Sequence, residues 1–520
     1  MKSPLRVVIL GGGTSGWMCA AALSGVIRLG QRDSLLDVRL VESAEIGTVG
    51  VGEATLPQIK DFNDYLGIDE AEFMRKTKAT FKLGIEFRDW GKLGNNYHHP
   101  FGAFGMPMAG VDFQHYWTRA NALGQAAPFE DYSYAIQAAR KQKFDFPSED
   151  KESIKSTFSY AYHFDAGLYA AFLREFSEAR GLRRTEGKVK NVTLHSDSGN
   201  IRSLVLESGE EIEGDLFIDC SGFRGLLIEE QLMAGWEDWS KWLPCDRALA
   251  VPSERTGDFH SYTRSTALSA GWQWRIPLQH RAGNGYCYSS AFISDDEAHR
   301  TLVENLDGAA LAEPKMLRFK AGRRKKSWYR NCLTIGLSSG FLEPLESTSI
   351  YLVQVAITTF LQLLPSGKSI DSKLAEEFNR LIDNEYERVR DFLILHYYAN
   401  TRTDAALWAY TRNMSVPDSL TDKIEQFRHR GRVPNYKDGL FAPPSWLAVL
   451  NGQDISARGY DRMADNMDDA TLVEKLESLR GRIRASVDAM PDHADFVADY
   501  CFVSPTKTGM MTGMSEGAAK

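Results

Sequence analysis

Lys82 stands in the run TFKLGIEF, between Phe81 and Leu83. A lysine in such an apolar, strand-like setting is either a solvated surface charge or a buried amine, and burial disfavours its charged form. Glu346, in EPLEST, precedes an apolar run. It is either an acid that the dipole favours at a helix start or a carboxylate available as a base. His98 and His99 are adjacent, but without further spaced ligands they make a poor metal site, and no metal is expected. In GWQWRIPL (271–278), Trp272 and Trp274 would share one face of a strand and Gln273 and Arg275 the other, with Ile276-Pro277 ending it.

A phosphate-binding loop is the clearest single motif. VVILGGGTSGWMCAAAL contains G-x-G-x-x-G as Gly11, Gly13 and Gly16. The glycines allow a tight turn, close approach of backbone to a pyrophosphate and close helix packing, with the helix N-terminus facing the phosphate. The pattern alone recurs by chance, but here it follows an apolar strand, opens a helix and precedes a second strand ending in Glu42. An acid there can bind ribose hydroxyls. A second signal, GDLFIDCSGFRG (214–225), is an apolar strand ending in Asp219 before Cys-Ser-Gly. Two pieces so far apart suit FAD bound by separated segments better than a short NAD domain.

These residues need elements to hold them. Residues 5–10, 16–29 and 37–42 read as strand, helix and strand, the start of a parallel sheet. Residues 55–66 and 69–78 read as helices, the second with Asp69 as N-cap and Glu72 three residues on. Residues 201–219 read as strands with a turn at Ser208-Gly209. IYLVQVAITTFLQLL (350–364) reads as a buried helix, and from 371 the pattern is amphipathic and helical, with Leu374, Phe378, Leu381 and Val389 near one face. The 520 residues carry 43% hydrophobic and 25% charged side chains, an ordinary globular balance. A net charge of −8 without a basic block speaks against nucleic acid or an anionic membrane surface as partner. No stretch reaches the ~18 apolar residues of a membrane span. Cys19, Cys220, Cys245, Cys287, Cys332 and Cys501 form no C-x-x-C pair, so reduced thiols in a cytoplasmic protein are expected.

Taken together, G-x-G-x-x-G near the N-terminus and W-x-W-x-I-P near the middle resemble the flavin-dependent tryptophan halogenase family. GVGEAT (50–55), ATFKLGIEF (79–87), HPFG (99–102), DLFIDCSGFRGLLI (215–228) and GFLEPLESTSI (340–350) support the resemblance, which covers residues 5 to about 410. It implies an α/β fold. An FAD-binding domain (1–90 and 155–350) is interleaved with a substrate portion (91–154 and 230–330). A helical C-terminal cap follows at 351–505, and a tail at 506–520 is expected to be disordered. It also implies an enzyme that uses reduced FAD, oxygen and bromide or chloride to make hypohalous acid, which travels through a tunnel to a lysine beside the aromatic substrate. A separate flavin reductase would supply the reduced FAD, which fits the lack of a second nucleotide-binding glycine loop. Homodimers are common in the family, but the sequence itself gives no warrant for one.

Residue by residue, the resemblance makes Lys82 the catalytic lysine, binding hypohalous acid as an ammonium or carrying the halogen as a haloamine. Glu346 would polarise the oxidant and accept the ring proton, and Ser347 would link flavin and lysine. Thr348 and Ser349 match a halide site of backbone N–H groups, with Ser349 where glycine is commoner. Thr14, Ser15, Ala54, Val189, Leu337 and Ile350 match flavin contacts. His99 and Phe101 match ring-stacking residues. Trp272, Trp274, Ile276 and Pro277 would form a wall that keeps organic substrates from the flavin; ordinary core packing is the other reading of the two tryptophans.

The resemblance fails in FRHRGRVPNYKDGLFAPPSWLAVL (427–450), which lacks the Tyr-Tyr pair and glutamate that grip free tryptophan. Phe441 or Trp446 can still cover a ring. A desolvated zwitterion needs polar partners, so the expected substrate is indole, an indole derivative or another electron-rich aromatic. A flavin-dependent aromatic hydroxylase and a catalytically silent FAD-binding protein are the alternatives.

Overall fold

A computed structural model describes residues 4–27, 29, 31, 34–45, 52–435 and 439–502 of the chain; the tail 506–520 and the first two residues of GVGEAT lie outside them. One layer is a six-stranded sheet in the order Trp328–Tyr329, Cys332–Thr334, Leu216–Asp219, Leu5–Leu10, Leu36–Glu42, Arg183–Glu186. Its pairings are parallel except for the Trp328–Tyr329 hairpin. The central strand Leu5–Leu10 is almost wholly apolar because both its faces are covered. The helix Thr14–Val26 makes the first crossover, and Gly16 to Ser24 are all buried within it.

A seven-stranded sheet lies beside it, in the order Lys315–Arg318, Arg247–Ser253, Ala282–Tyr288, Gly271–Pro277, Thr263–Leu268, Gly84–Arg88, Asn96–Pro100. It is antiparallel except where Thr263–Leu268 runs parallel to Gly84–Arg88. GWQWRIP is therefore an interior strand, not an edge. A small antiparallel sheet, Gly52–Ala54, Ala161–Asp165 and Thr80–Lys82, joins the two larger ones. The chain passes from it into the larger sheet at Leu83, whose N–H is donated to Ser261 O at 2.7 Å. This crossing carries Lys82 into the interior.

The helices largely follow the sequence pattern. Asp69 Oδ1 accepts the Glu72 N–H at 2.7 Å, as a capping residue does. The apolar run forms the helix Thr348–Gln362, and the amphipathic stretch forms Ser372–Tyr398, capped by Asp371. Helices Ala406–Asn413, Asp418–Arg430, Pro443–Gly452, Asp469–Asp488 and His493–Phe502 follow. Several boundaries differ from expectation, the helix read at 350–364 running from Thr348 to Gln362. The helix read at 16–29 runs from Thr14 to Val26. The helix read from 55 starts at Gln58, because Thr55 gives its N–H to Tyr162 O at 3.0 Å and so extends the small sheet. All six cysteines are free and buried.

Asp219, at the end of its parallel strand, serves its own backbone. Its carboxylate accepts Ser221 N–H at 2.9 Å, Leu227 N–H at 2.8 Å and Ile228 N–H at 2.9 Å, so it holds the turn that follows the strand. Removing it strands buried donors. Asp219→Ala is expected to lower unfolding free energy by about 3 kcal/mol in a denaturant titration.

Candidate active site

Lys82 is fully buried, at 0% exposure. Its Nζ donates to Thr55 O at 3.0 Å and to Ser347 Oγ at 2.9 Å, and lies 5.0 Å from the centre of the Phe101 ring. Burial pushes its pKa down to about 7, although the charge of Glu346 pulls the other way.

Glu346 is 2% exposed and held by two imidazoles: His99 Nδ1 lies 2.6 Å from Oε2, and His396 Nε2 lies 2.8 Å from Oε1. Burial alone would raise its pKa. The charge and hydrogen bonds of His99 and His396 outweigh that and hold it down at about 2, so it is ionised across the neutral range. The backbone here is unusual: Glu343, Glu346 and Ser347 have φ of +84°, +63° and +60°. Left-handed non-glycine residues cost of order 1 kcal/mol or more each and cluster at functional sites.

Side chains from neighbouring elements hold this loop. Glu343 Oε2 accepts from Trp272 Nε1 at 2.9 Å, Tyr397 Oη at 2.9 Å and Cys287 Sγ at 3.3 Å. Burial nevertheless raises the Glu343 carboxyl to about 7. One ligand atom each from Cys245, Cys287 and Glu343 lies within 4.8 Å of the others; Oε2 accepts from Trp272, Tyr397 and Cys287, while Oε1 is buried without a hydrogen-bond partner among the described residues. Ser347, the N-cap of Thr348–Gln362, makes no side-chain cap bond; its Oγ faces Lys82 instead. No side-chain cap thus takes up the first N–H groups of that helix, where Thr348 and Ser349 stand.

Aromatic rings surround the carboxylate. His99 has Phe392 at 5.7 Å, Phe441 at 6.1 Å and Phe101 at 6.3 Å between ring centres. Phe441 stacks on Phe392 at 3.8 Å, and Trp446 meets Phe392 edge-on at 5.0 Å. Trp446 is therefore one ring removed from His99.

Trp272 and Trp274 share a face, with ring centres 5.9 Å apart. On the opposite face Gln273 Nε2 donates to Asn305 O at 3.2 Å, and Arg275 pairs with Asp307. The Trp274 ring covers Gly285, where a Cβ would lie 2.0 Å from it. At the strand end, Pro277 O accepts Thr80 Oγ1 at 2.8 Å, and Ile276 packs on Gly52. The W-x-W-x-I-P strand thus touches both segments that position Lys82.

The glycine loop has room for a pyrophosphate. Gly11 has φ +119°, and a Cβ there would meet Cys220 O at 2.3 Å; one at Gly16 would meet Gly11 O at 1.9 Å. Gly13 has nothing within 4 Å of the same position, and the helix it caps has no side-chain cap bond. Thr14 and Ser15 open that helix, and Ser15 packs against Gly336, next to Leu337. Glu42 ends its strand, paired with Arg184 and accepting Trp17 Nε1 at 3.3 Å. Ala54 ends the Gly52–Ala54 strand, Val189 begins Val189–Leu194, and Ile350 lies in the first turn of Thr348–Gln362. The open space at Gly13 and the uncapped N-terminus of Thr14–Val26 fit the pyrophosphate of a bound FAD.

The sequence reading missed His396, Phe392, Thr55 and Glu343. Thr55 and Glu343 sat inside motifs already quoted, and His396 was visible as an imidazole directly after the apolar run FLIL.

The family model for tryptophan halogenase matches residues 6–469. The chain belongs to the tryptophan halogenase family. This halogenase is 37% identical to tryptophan 6-halogenase SttH of Streptomyces toxytricini, over 96% of its own length and 98% of that protein. Among solved structures it is similar to Xcc4156, a flavin-dependent halogenase from Xanthomonas campestris, at 48% identity and a TM-score of 0.92, covering 96% of this chain and 98% of that one. It is also similar to BrvH, a flavin-dependent halogenase from Brevundimonas sp. BAL3, at 46% identity and a TM-score of 0.91, covering 96% and 99%. It is accordingly a flavin-dependent enzyme. Among its described residues no helix is long and apolar enough to cross a membrane.

Lys82 ties the stability of this halogenase to pH. Its amine titrates at about 7 when folded and near 10.5 when unfolded. Between these values the unfolded chain holds the extra proton, so this term makes stability rise with pH from about 7 upward. Lys82→Met is expected to be more stable than wild type at pH 7, with the difference shrinking towards pH 10 in paired denaturant titrations.

Proposed function

We propose that this halogenase transfers halogen from hypohalous acid to an electron-rich aromatic, indole or an indole derivative, with Lys82 guiding the oxidant and Glu346 taking the ring proton. One observation carries the reading: the buried amine of Lys82 donates to Ser347, the chain neighbour of ionised Glu346, beside a group of aromatic rings. Gly11, Gly13, Thr14, Ser15 and Gly16 would hold the FAD pyrophosphate, Glu42 the ribose, and Ala54, Val189, Leu337 and Ile350 the remainder. Reduced FAD, delivered by a separate reductase, supplies with oxygen the oxidation of halide to hypohalous acid. The first N–H groups of Thr348–Gln362, at Thr348 and Ser349, would bind the halide.

Two protein acceptors face Lys82 Nζ. A neutral amine donates to both and keeps its lone pair for the electrophilic halogen; an ammonium donates to both and keeps a third N–H for the oxygen of hypohalous acid. With Lys82 titrating at about 7, each form is present at neutral pH. In either case the ring carbon bonds to halogen as the bond from halogen to nitrogen or oxygen breaks. The oxygen of hypohalous acid takes a proton from the Lys82 nitrogen and leaves as water, on halogen transfer in the ammonium route and on formation of the nitrogen–halogen bond in the haloamine route. The ring then loses its proton to Glu346, from which it passes to that nitrogen and restores it. A cationic ring is a strong carbon acid, so a carboxylate of low basicity suffices. His99, Phe101 and Phe441 would flank the ring, with Trp446 behind them, and the Trp272 and Trp274 strand would keep it from the flavin.

The sequence of 427–450 lacks the amino-acid clamp of the tryptophan-specific members, which favours indole over free tryptophan. Steady-state assays with a flavin reductase are expected to give indole a higher kcat/KM than L-tryptophan; the reverse order would reject this substrate class. Lys82→Ala is expected to reduce halogenated product at least about 100-fold while FAD binding stays unchanged by fluorescence titration. Product mass spectrometry in bromide and in chloride reads halogenation directly, and a product gaining oxygen alone would indicate hydroxylation.

A further inference from the structure

We propose that His396 is the positioning residue for Glu346 and acts as an imidazolium, fixing the carboxylate through an ion pair. This rests on the reading of Glu346 as the acceptor of the ring proton.

His396 Nδ1 lies 2.9 Å from the carbonyl oxygen of Phe392. A carbonyl only accepts, so Nδ1 carries a hydrogen. His396 Nε2 lies 2.8 Å from Glu346 Oε1. With a neutral ring, the bare Nε2 would face a bare carboxylate oxygen, two acceptors in contact. A carboxylate that takes the ring proton must itself be bare, so the proposed role of Glu346 requires a hydrogen on Nε2 as well, and with both nitrogens protonated the ring is charged.

The surroundings accept such a charge. His396 is 0% exposed, so its cation needs a partner and full hydrogen bonding. Glu346 supplies the first and Phe392 O completes the second. The rings of Phe87, Phe392 and Trp90 close round it at 4.9, 5.0 and 5.9 Å between centres, and aromatic rings tolerate a cation better than aliphatic side chains do.

The need for a positioning residue comes from the backbone. Glu346 and Ser347 both sit in the left-handed region, and their loop departs from it unless something outside opposes the strain. His396 and Tyr397, consecutive on the helix Ser372–Tyr398, supply that opposition: His396 ties Glu346, and Tyr397 ties Glu343 at 2.9 Å. The end of one helix thus holds both carboxylates of the E-P-L-E segment. His99, from the strand Asn96–Pro100, faces the other oxygen of Glu346, so the two imidazoles hold the carboxylate from two sides.

The test combines spectroscopy and kinetics on the full-length enzyme. With ring-15N histidine, the His396 signal is identified as the one lost in His396→Gln. Both its nitrogens are expected to be protonated at pH 7 in wild type, and one to lose its proton in Glu346→Gln. This readout does not depend on turnover, and Glu346→Gln supplies it should His396→Gln fold poorly. A wild-type ring with an unprotonated Nε2 overturns the imidazolium. His396→Gln keeps a neutral donor, and His396→Phe keeps none. Halogenation kcat is expected to fall about 100-fold in His396→Phe and less in His396→Gln. KM for the aromatic should stay within about threefold, and hypohalous acid should still be trapped by a scavenger at the wild-type rate. Wild-type kcat in both variants overturns the positioning role. Wild-type enzyme that yields no trappable oxidant counts instead against the reading of the reaction on which this inference rests.

Discussion

The structure depends on placing a lysine amine where water cannot reach it. An isolated charge costs several kcal/mol to bury even after the surroundings relax. Lys82 escapes part of that cost by yielding its proton more easily, and part through two well-placed acceptors, Thr55 O and Ser347 Oγ. The same constraint explains the carboxylate beside it. Glu346 is equally buried but stays ionised, because two imidazoles face its two oxygens. Burial thus pushes one group towards its neutral form, while pairing holds its neighbour in the charged form.

Five parts of the chain meet to make this possible. Thr80–Lys82 and the end of Gly52–Ala54 bring Lys82 and its carbonyl partner together within one small sheet. Asn96–Pro100, from the seven-stranded sheet, brings His99. The strained turn before Thr348–Gln362 brings Glu346 and Ser347, and the last turns of Ser372–Tyr398 bring His396 and Tyr397. The tryptophan strand ties several of these together: Trp272 bonds Glu343, and Pro277 bonds Thr80. The glycine loop lies in the parallel sheet, so the proposed flavin site and the buried lysine belong to different sheets.

Much of this arrangement was legible in the sequence because it rests on local patterns. The crossover around Gly11, Gly13 and Gly16, the Asp69 cap and the apolar helix beyond Thr348 follow from spacing and side-chain type. Lys82 and Glu346 stood out as chemistry-bearing residues in apolar surroundings, and the resemblance of their motifs to a known family supplied the suggestion that they act together. What remained hidden depends on contacts between distant residues. His396 and Glu346 are 50 positions apart and Tyr397 and Glu343 are 54 apart, and no periodicity announces such pairs. The start of the second helix was misplaced because Thr55 was recruited by a strand remote in sequence. The two tryptophans were correctly put on one face, but the bond from Trp272 to Glu343 could be read only from the tertiary arrangement.

The central claim is that burial brings the Lys82 amine to the edge of neutrality at working pH. Nitrogen-15 resonance of lysine-labelled enzyme, with the Lys82 signal assigned by its loss in Lys82→Met, measures this directly. A titration midpoint near pH 7 is the expected result. An amine that keeps its proton up to about pH 10, as exposed lysines do, would contradict it.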